Sequence, residues 1–358
     1  MIYDRKDKFL AVGLFDPDSP IRVRILHAGK PQIIDSIWWN VRLDKALAVR
    51  RDLFDAQTTG YRLIHGESDG WPGLVLDKYD STLVLKIYSV AWLPRLDEIL
   101  ALFKEKIPCE RIILRLSRNI QPFAEKEFQR RDGQILFGST PDGAVIFSEN
   151  GIKFEADVLR GQKTGFFLDQ RENRMEVEKL SHCKKVLNAF SFSGGFSVYA
   201  AHGGAKSVTD LDISTHALES AKRNFALNQN FSDVANCRHE IVQADCFDWL
   251  EKTSEKFNLI ILDPPSLAKR ATEREGAIHA YERLNSLGIA RLSRDGILVA
   301  GSCSAHVSAP EFFDAVRRAA AKSGRKFTEL KTLQHPPDHP ATFKEAAYLK
   351  VIYLKFAT

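Results

Sequence analysis

Along residues 8–26 two apolar-rich runs flank an Asp-Pro-Asp-Ser-Pro turn, and Ile21, Val23 and Ile25 alternate with Arg22 and Arg24. Alternation sends successive side chains to opposite faces, so this piece predicts two strands with one apolar and one basic face. Two strands alone are marginal, and the piece must lean on other structure or belong to an incomplete domain. Residues 38–56 predict a helix with a basic face of Arg42, Lys45, Arg50 and Arg51. A strand opening at Tyr61 runs into a turn-rich loop through Gly73. Strands at Leu74–Asp77 and Thr82–Tyr88, a helix near Leu93–Lys106 and a strand at Arg111–Leu116 follow. This β-β-α-β order predicts a separate small α/β domain. A hairpin around Gly151 should join Ala144–Glu149 to Ile152–Asp157, and a helix should run to about Leu180.

The organising stretch is 186–195, Val-Leu-Asn-Ala-Phe-Ser-Phe-Ser-Gly-Gly. An apolar run stops at a Ser/Gly turn and an amphipathic segment, Phe196 through Ala201, comes after it: strand, tight turn, helix. Gly194 and Gly195 allow the backbone to approach a ligand, and the helix N-terminus behind them offers N–H groups to polar atoms. The spacing is not G-x-G-x-x-G, which disfavours a plain NAD site. Further strands end in polar residues at Asp212, Asp245, Asp263 and the Ser302-Cys303-Ser304 run. Asp212 lies about 20 residues after the glycines, where doubly wound folds place a ribose-binding carboxylate. Helices alternate with these strands over 184–302, residues 310–322 predict another helix, and 348–356 predict a closing strand. The expected fold class is α/β, and the layout resembles the Rossmann-like sheet of class I S-adenosylmethionine (SAM) dependent methyltransferases.

Composition narrows this modestly. The chain of 358 residues is long enough for two or three domains, and 44% hydrophobic with 27% charged residues fits a soluble globular protein. No run of about 18 apolar residues occurs, so no membrane span is expected. The first residues lack an apolar signal core, which predicts a cytoplasmic protein. Five cysteines, at 109, 183, 237, 246 and 303, form no C-x-x-C pair, so neither a metal site nor a disulfide frame is expected. A net charge of +5 permits nucleic-acid binding without requiring it. Arg22, Arg24, Arg111, Arg115, Arg118, Arg130 and Arg131 could meet phosphates or simply form a solvated face.

Taken together, several segments resemble the bacterial large-subunit rRNA (cytosine-C5) methyltransferases that carry an N-terminal PUA domain. They are Tyr-Arg-Leu-Ile-His-Gly-Glu-Ser-Asp-Gly at 61–70, Lys-Thr-Gly-Phe-Phe-Leu-Asp-Gln-Arg at 163–171 and Asn-Ala-Phe-Ser-Phe-Ser-Gly-Gly-Phe at 188–196. Asp-Pro-Pro at 263–265, Ser-Cys-Ser at 302–304 and Asp-His-Pro at 338–340 complete the set. The resemblance implies a partial PUA-like segment over 1–34, a central α/β domain over 35–158 and a catalytic domain over 159–358. It implies SAM as cofactor, large-subunit rRNA as partner and, since related enzymes are often dimers, a homodimer. The SAM contacts it implies are Lys163, Gly165, Gln170, Arg171, Asn188, Phe190, Ser193, Gly194, Asp212, Asp245, Asp263 and Pro264. Ser266 stands where relatives often carry lysine, and the N-terminus begins inside the PUA-like segment.

Cys303 separates the possible reactions. Carbon 5 of cytosine becomes nucleophilic only after a thiolate adds to carbon 6, and Cys303 is the expected nucleophile. Asp263 is expected to hydrogen-bond or protonate the base near N3 and N4. Against these stand a buried small cysteine and plain capping aspartates, the latter also open for Asp212 and Asp245. Phe166, Phe167 and Phe190 could be core or touch the cofactor, and His306 and His339 could assist proton removal at carbon 5, though each reads more readily as an ordinary loop histidine. The rival functions are a guanine-directed rRNA methyltransferase, which needs no cysteine, and a non-catalytic RNA-binding ribosome-assembly protein.

Overall fold

The computed structural model describes residues 1–357, which fall into two compact units. No helix among them is long and apolar enough to cross a membrane.

The first unit comprises residues 1–151, 155–168 and 337–342. It opens with a three-stranded antiparallel sheet of β1 (Ile2–Tyr3), β2 (Phe9–Phe15) and β3 (Val23–Ala28). Helix α1 (Ser36–Arg50) follows, its first turn capped by Asp35, which accepts from the Trp38 amide. Strands β4 (Gly60–His65), β5 (Leu74–Tyr79) and β6 (Thr82–Ile87) lead through α2 (Leu96–Lys106) to β7 (Arg111–Leu116). Helix α3 (Gln121–Phe128) and β8 (Gln134–Phe137) complete a five-stranded sheet in the order β4-β5-β6-β7-β8. Only the β6–β7 pair is parallel, joined through the α2 crossover that parallel pairing requires, whereas β7 and β8 pair antiparallel although α3 lies between them. Trp39, Trp71 and Trp92 pack ring against ring at the centre of this unit.

The chain leaves the first unit in the hairpin of β9 (Val145–Glu149) and β10 (Ile152–Ala156). Asn150 and Gly151 both take positive φ, 53° and 82°, as a two-residue hairpin turn demands. The hairpin expected around Gly151 is therefore present.

The second unit comprises residues 152–154, 169–336 and 343–357. In order it holds α4 (Arg171–Lys179), β11 (Lys185–Ala189), α5 (Gly195–His202), β12 (Ser207–Asp212), α6 (Thr215–Ala226) and α7 (Ser232–Asn236). Then come β13 (Arg238–Gln243), α8 (Cys246–Lys252), β14 (Phe257–Leu262), α9 (Arg274–Ala290), β15 (Leu292–Ser302), α10 (Ala309–Lys322), β16 (Phe327–Leu333) and β17 (Lys350–Phe356). The seven strands lie in the order β13-β12-β11-β14-β15-β17-β16. The first five are mutually parallel, and β17 inserts antiparallel between β15 and β16. The strand order reverses between β11 and β14, so their carboxyl ends flank a crevice, the usual ligand position in open α/β sheets.

Several sequence expectations need correction. The segment Phe196–Ala201 is not amphipathic: every residue in it is buried, since α5 is packed on all sides. Helix α1 stops at Arg50 rather than extending to 56, and Arg50 turns inward onto Asp69 instead of joining a basic face. Three strands, β1, β8 and β16, were not anticipated. Both β8 and β16 lie at sheet edges, where half-exposed positions leave the apolar pattern weak.

Candidate active site

The turn after β11 is strained. Phe190, Phe192 and Gly194 all have positive φ, 60°, 48° and 72°. Two bulky residues in that region persist only where the surroundings over-determine them. Three bonds do so. The Phe192 amide donates to Asp212 Oδ2 at 3.0 Å, Asn224 Nδ2 donates to the Ser193 carbonyl at 2.8 Å, and Gly194 N donates to the Ser191 carbonyl at 2.9 Å. A Cβ at Gly194 would lie 2.8 Å from that of Ala221, so no side chain fits there. The Ser191 hydroxyl in the same turn is buried and has no hydrogen-bond partner. A buried, unpaired donor beside backbone that only glycine can supply marks a cradle for a polar ligand.

Under the turn lies a buried polar cluster. Asp210 accepts from Ser197 Oγ at 2.5 Å and from Asn188 Nδ2 at 3.1 Å, and His239 Nε2 approaches its other oxygen to 2.7 Å. The Asn188 amide thus faces Ser197 and Asp210, its register partner on β12. The His239 ring stacks on Phe225 at 4.1 Å. Asp210 was not singled out from the sequence. The one available signal was that Asp210 and Asp212, two apart on a strand, share a face.

The ends of β14 and β15 hold the other polar groups. Asp263 follows β14, and Gly301 on β15 leaves room for its carboxyl: a Cβ there would sit 2.8 Å from Asp263 Oδ1. Gln170 Nε2 donates to Asp263 Oδ2 at 2.8 Å. Gln170 Oε1 accepts from Asn173 Nδ2 at 2.7 Å, and Asn173 Oδ1 accepts from the Tyr353 hydroxyl at 3.0 Å. Burial holds the Tyr353 phenol far above its ordinary pKa, with the charges of Glu176 and Asp263 adding to the shift. The hydroxyl therefore stays a donor, and the chain of bonds runs one way, from Tyr353 to Asp263.

Cys303 follows β15 directly and is half-buried. Its neighbours are fixed. Ser302 Oγ donates to Tyr281 Oη at 2.9 Å, and Ser304 Oγ donates to the Ala268 carbonyl at 3.3 Å. Burial pushes the Tyr281 phenol up to about 12. Burial also pushes Cys237 up to about 11 and Cys246 up to about 12, and it raises Cys109. These three are thiols rather than thiolates at neutral pH, while Cys183 is exposed and lies at the opposite, amino end of β11.

The remaining expected residues disperse. Gln170, Arg171, Asn188, Phe190, Ser193, Gly194, Asp212, Asp245, Asp263, Pro264 and Cys303 are all in the second unit, whereas Lys163 and Gly165 are in the first. Asp212 engages both oxygens, the second accepting from Ser214 N at 2.9 Å. Asp245 caps α8 through the Asp248 amide at 3.1 Å. Phe190 meets Phe247, while Phe166 is buried against Phe147 in the first unit. Ser266 Oγ closes a local turn onto the Ala268 carbonyl. His306 is exposed, and His339 is buried beside Asp338 in the first unit. Of the basic residues, Arg24 pairs with Glu67, Arg115 with Asp132, Arg130 with Asp97 and Arg131 with Glu125. Only Arg22 and Arg118 stay exposed without an ion pair. Among the described residues no cluster of His, Cys, Asp and Glu could hold a metal ion.

A seven-stranded sheet in this order, with a glycine cradle and polar groups at its carboxyl ends, is the class I SAM-dependent methyltransferase fold. Two solved structures share it across 99% of this chain and 90% of their own. One, a candidate SAM-dependent methyltransferase from Streptococcus mutans, superposes with a TM-score of 0.83. The other, a methyltransferase complexed with SAH, superposes at 0.84, and both are 24% identical. The chain belongs to the S-adenosylmethionine-dependent methyltransferase family, whose profile matches residues 61–355. It is 54% identical to a Deinococcus radiodurans protein named ribosomal RNA large subunit methyltransferase, over 99% of this chain and 88% of that protein. A Pseudoalteromonas translucida protein named ribosomal RNA large subunit methyltransferase I is 34% identical, over 99% and 89%. SAM is the cofactor of the family, and the cradle at Ser191–Gly194 fits a group of its polarity.

Proposed function

We propose that this protein methylates carbon 5 of a cytosine in large-subunit ribosomal RNA, with Cys303 as the nucleophile. The observation that carries the reading is the half-buried Cys303 at the end of β15, one strand from Asp263 at the end of β14. The names of the relatives supply the RNA class. Ser191, Gly194 and Asp212 would hold the cofactor, with Arg171, Phe190, Ser193, Asp245 and Pro264 as further contacts. SAM supplies an electrophilic methyl group.

In this reading the Cys303 thiolate adds to carbon 6, forming a C–S bond while the 5,6 double bond opens. Asp263, in its protonated form, hydrogen-bonds N3 or gives it its proton as negative charge develops there, and is left as the carboxylate if the proton transfers. Carbon 5, now enamine-like, would take the methyl group from the sulfonium, releasing the neutral thioether S-adenosylhomocysteine. Loss of the carbon 5 proton to solvent water restores the double bond and expels the thiolate. The target cytosine has to be unstacked or single-stranded for carbon 6 to be reached. We also assign 1–34 to a PUA-like segment, 35–158 to a central α/β domain and 159–358 to the catalytic domain, and place the enzyme in the cytoplasm.

The test is trapping. Large-subunit rRNA carrying 5-fluorocytosine is incubated with SAM and either wild type or Cys303→Ala. Fluorine cannot leave as a proton, so the adduct should persist as a protein–RNA crosslink in wild type and vanish in the variant. Methyl transfer to unmodified rRNA that survives in Cys303→Ala, without any crosslink in wild type, would overturn the reading and favour guanine.

A further inference from the structure

Lys350 is an anomaly in the second unit. It opens β17, lies opposite Ser302 in antiparallel register, and is only 1% exposed. Its Nζ donates to the carbonyls of Ser304, Val307 (2.5 Å) and Tyr348 (3.1 Å). All three acceptors are neutral, and among the described residues no carboxylate pairs with it. A buried ammonium with no counter-charge is costly, and such groups concentrate where a charge does chemical work. The register partner and the first acceptor are the two residues that flank Cys303, and the second acceptor closes the loop behind it.

We infer that Lys350 is a positioning residue for the nucleophile: it folds the 303–307 loop by holding two of its carbonyls, and, while protonated, its ammonium stabilises the Cys303 thiolate. The inference rests on the reading of Cys303 as the nucleophile. Burial lowers the Lys350 pKa to about 8, and the charge of Cys303 is the one neighbour found to oppose that shift. The other titratable groups nearby are Tyr281 on α9, Tyr348 and Tyr353 beside and on β17, Asp263 after β14 and His306 in the loop. Tyr281 and Tyr353 are kept neutral by burial, so neither supplies a competing anion at neutral pH. Asp263 accepts from Gln170.

The experiment reads the thiol itself rather than turnover. Iodoacetamide alkylation of Cys303 is followed by peptide mass spectrometry across about pH 6 to 10, with exposed Cys183 of the same molecules as reference. Wild type, Lys350→Met and Lys350→Arg are compared, each checked for SAM binding. Wild-type Cys303 should titrate below Cys183. The midpoint should rise by roughly one unit in Lys350→Met, about tenfold slower alkylation at neutral pH, and return in Lys350→Arg. An unmoved midpoint in a SAM-binding Lys350→Met, or a shift that arginine fails to reverse, overturns the inference. If Lys350→Met loses SAM binding, the wild-type arm decides: a Cys303 midpoint at or above that of Cys183 overturns it. Failure here leaves the fluorocytosine crosslink intact, whereas failure of the nucleophile reading removes the crosslink whatever Lys350 does.

Discussion

In the five-stranded sheet of the first unit, buried charges close on each other. Arg62 forks onto Asp77 through bonds of 2.7 and 2.8 Å, and Arg50 forks onto Asp69 through bonds of 2.9 and 2.7 Å. Thr164 Oγ1 adds a 2.6 Å bond to Asp77 Oδ2. In the seven-stranded sheet Asp210 is matched as fully, by Ser197, Asn188 and His239, but two buried polar groups near the strand ends are not. Lys350 faces carbonyls, and the Ser191 hydroxyl has no partner. Saturated pairs hold a fold together, while unsaturated polar groups gathered at strand ends leave capacity for a ligand. The first arrangement is a scaffold, and the second carries the proposed site.

The largest test of that contrast is Asp77→Asn. It strands the Arg62 guanidinium in the interior and should cost about 3–5 kcal/mol of stability, read by thermal or denaturant unfolding. SAM affinity of the folded protein should not change, and a parallel loss of affinity would break the contrast. Next is Gly194→Val, which forces a β-branched side chain into φ 72° with its Cβ against Ala221. Strain of about 1–3 kcal/mol should weaken SAM binding by roughly tenfold or more in calorimetry.

Gly301→Ala and Tyr353→Phe probe Asp263 from two sides. The alanine methyl displaces the carboxyl, so methyl transfer should fall more than SAM affinity does. Tyr353→Phe leaves Asn173 Oδ1 without its donor, costs about 1 kcal/mol, and should lower kcat several-fold while KM for SAM holds. Equal losses in kcat and stability would make the chain of bonds a structural device only.

The smallest effect is at His202, remote from the strand ends. Its hydrogen bond to Glu178, at 2.6 Å, raises its pKa above the ordinary 6.5. The folded state therefore keeps this proton to higher pH than the unfolded chain. The stabilisation is complete below 6.5 and declines as pH rises through the raised folded value. Wild type should lose stability relative to His202→Gln as pH is raised through that window, and a constant difference would remove Glu178 as the cause.

The sequence by itself determined the parallel sheet and the positions of its ligand-facing ends. Strands buried on both faces must be almost wholly apolar, so β11, β14 and β15 stand out, and the first polar residue after each marks a carboxyl end. Turn chemistry is equally local, which is why Gly151 and Gly194 could be read directly. Edge strands such as β16 carry little apolar signal because half their surface meets water. The tertiary structure alone decided which polar residues meet. Asp210 acquires its role from Asn188, Ser197 and His239 on neighbouring elements. Gln170, read as a cofactor contact, turns its amide to Asp263, and Arg50, read as surface, is buried on Asp69 and the Asp338 carbonyl. Asp338 itself accepts from the Arg62 amide across 276 residues of sequence. Hydrophobic periodicity is a property of one segment, whereas a polar side chain's partner is set by strand order and register, and neither is written within the segment that carries it.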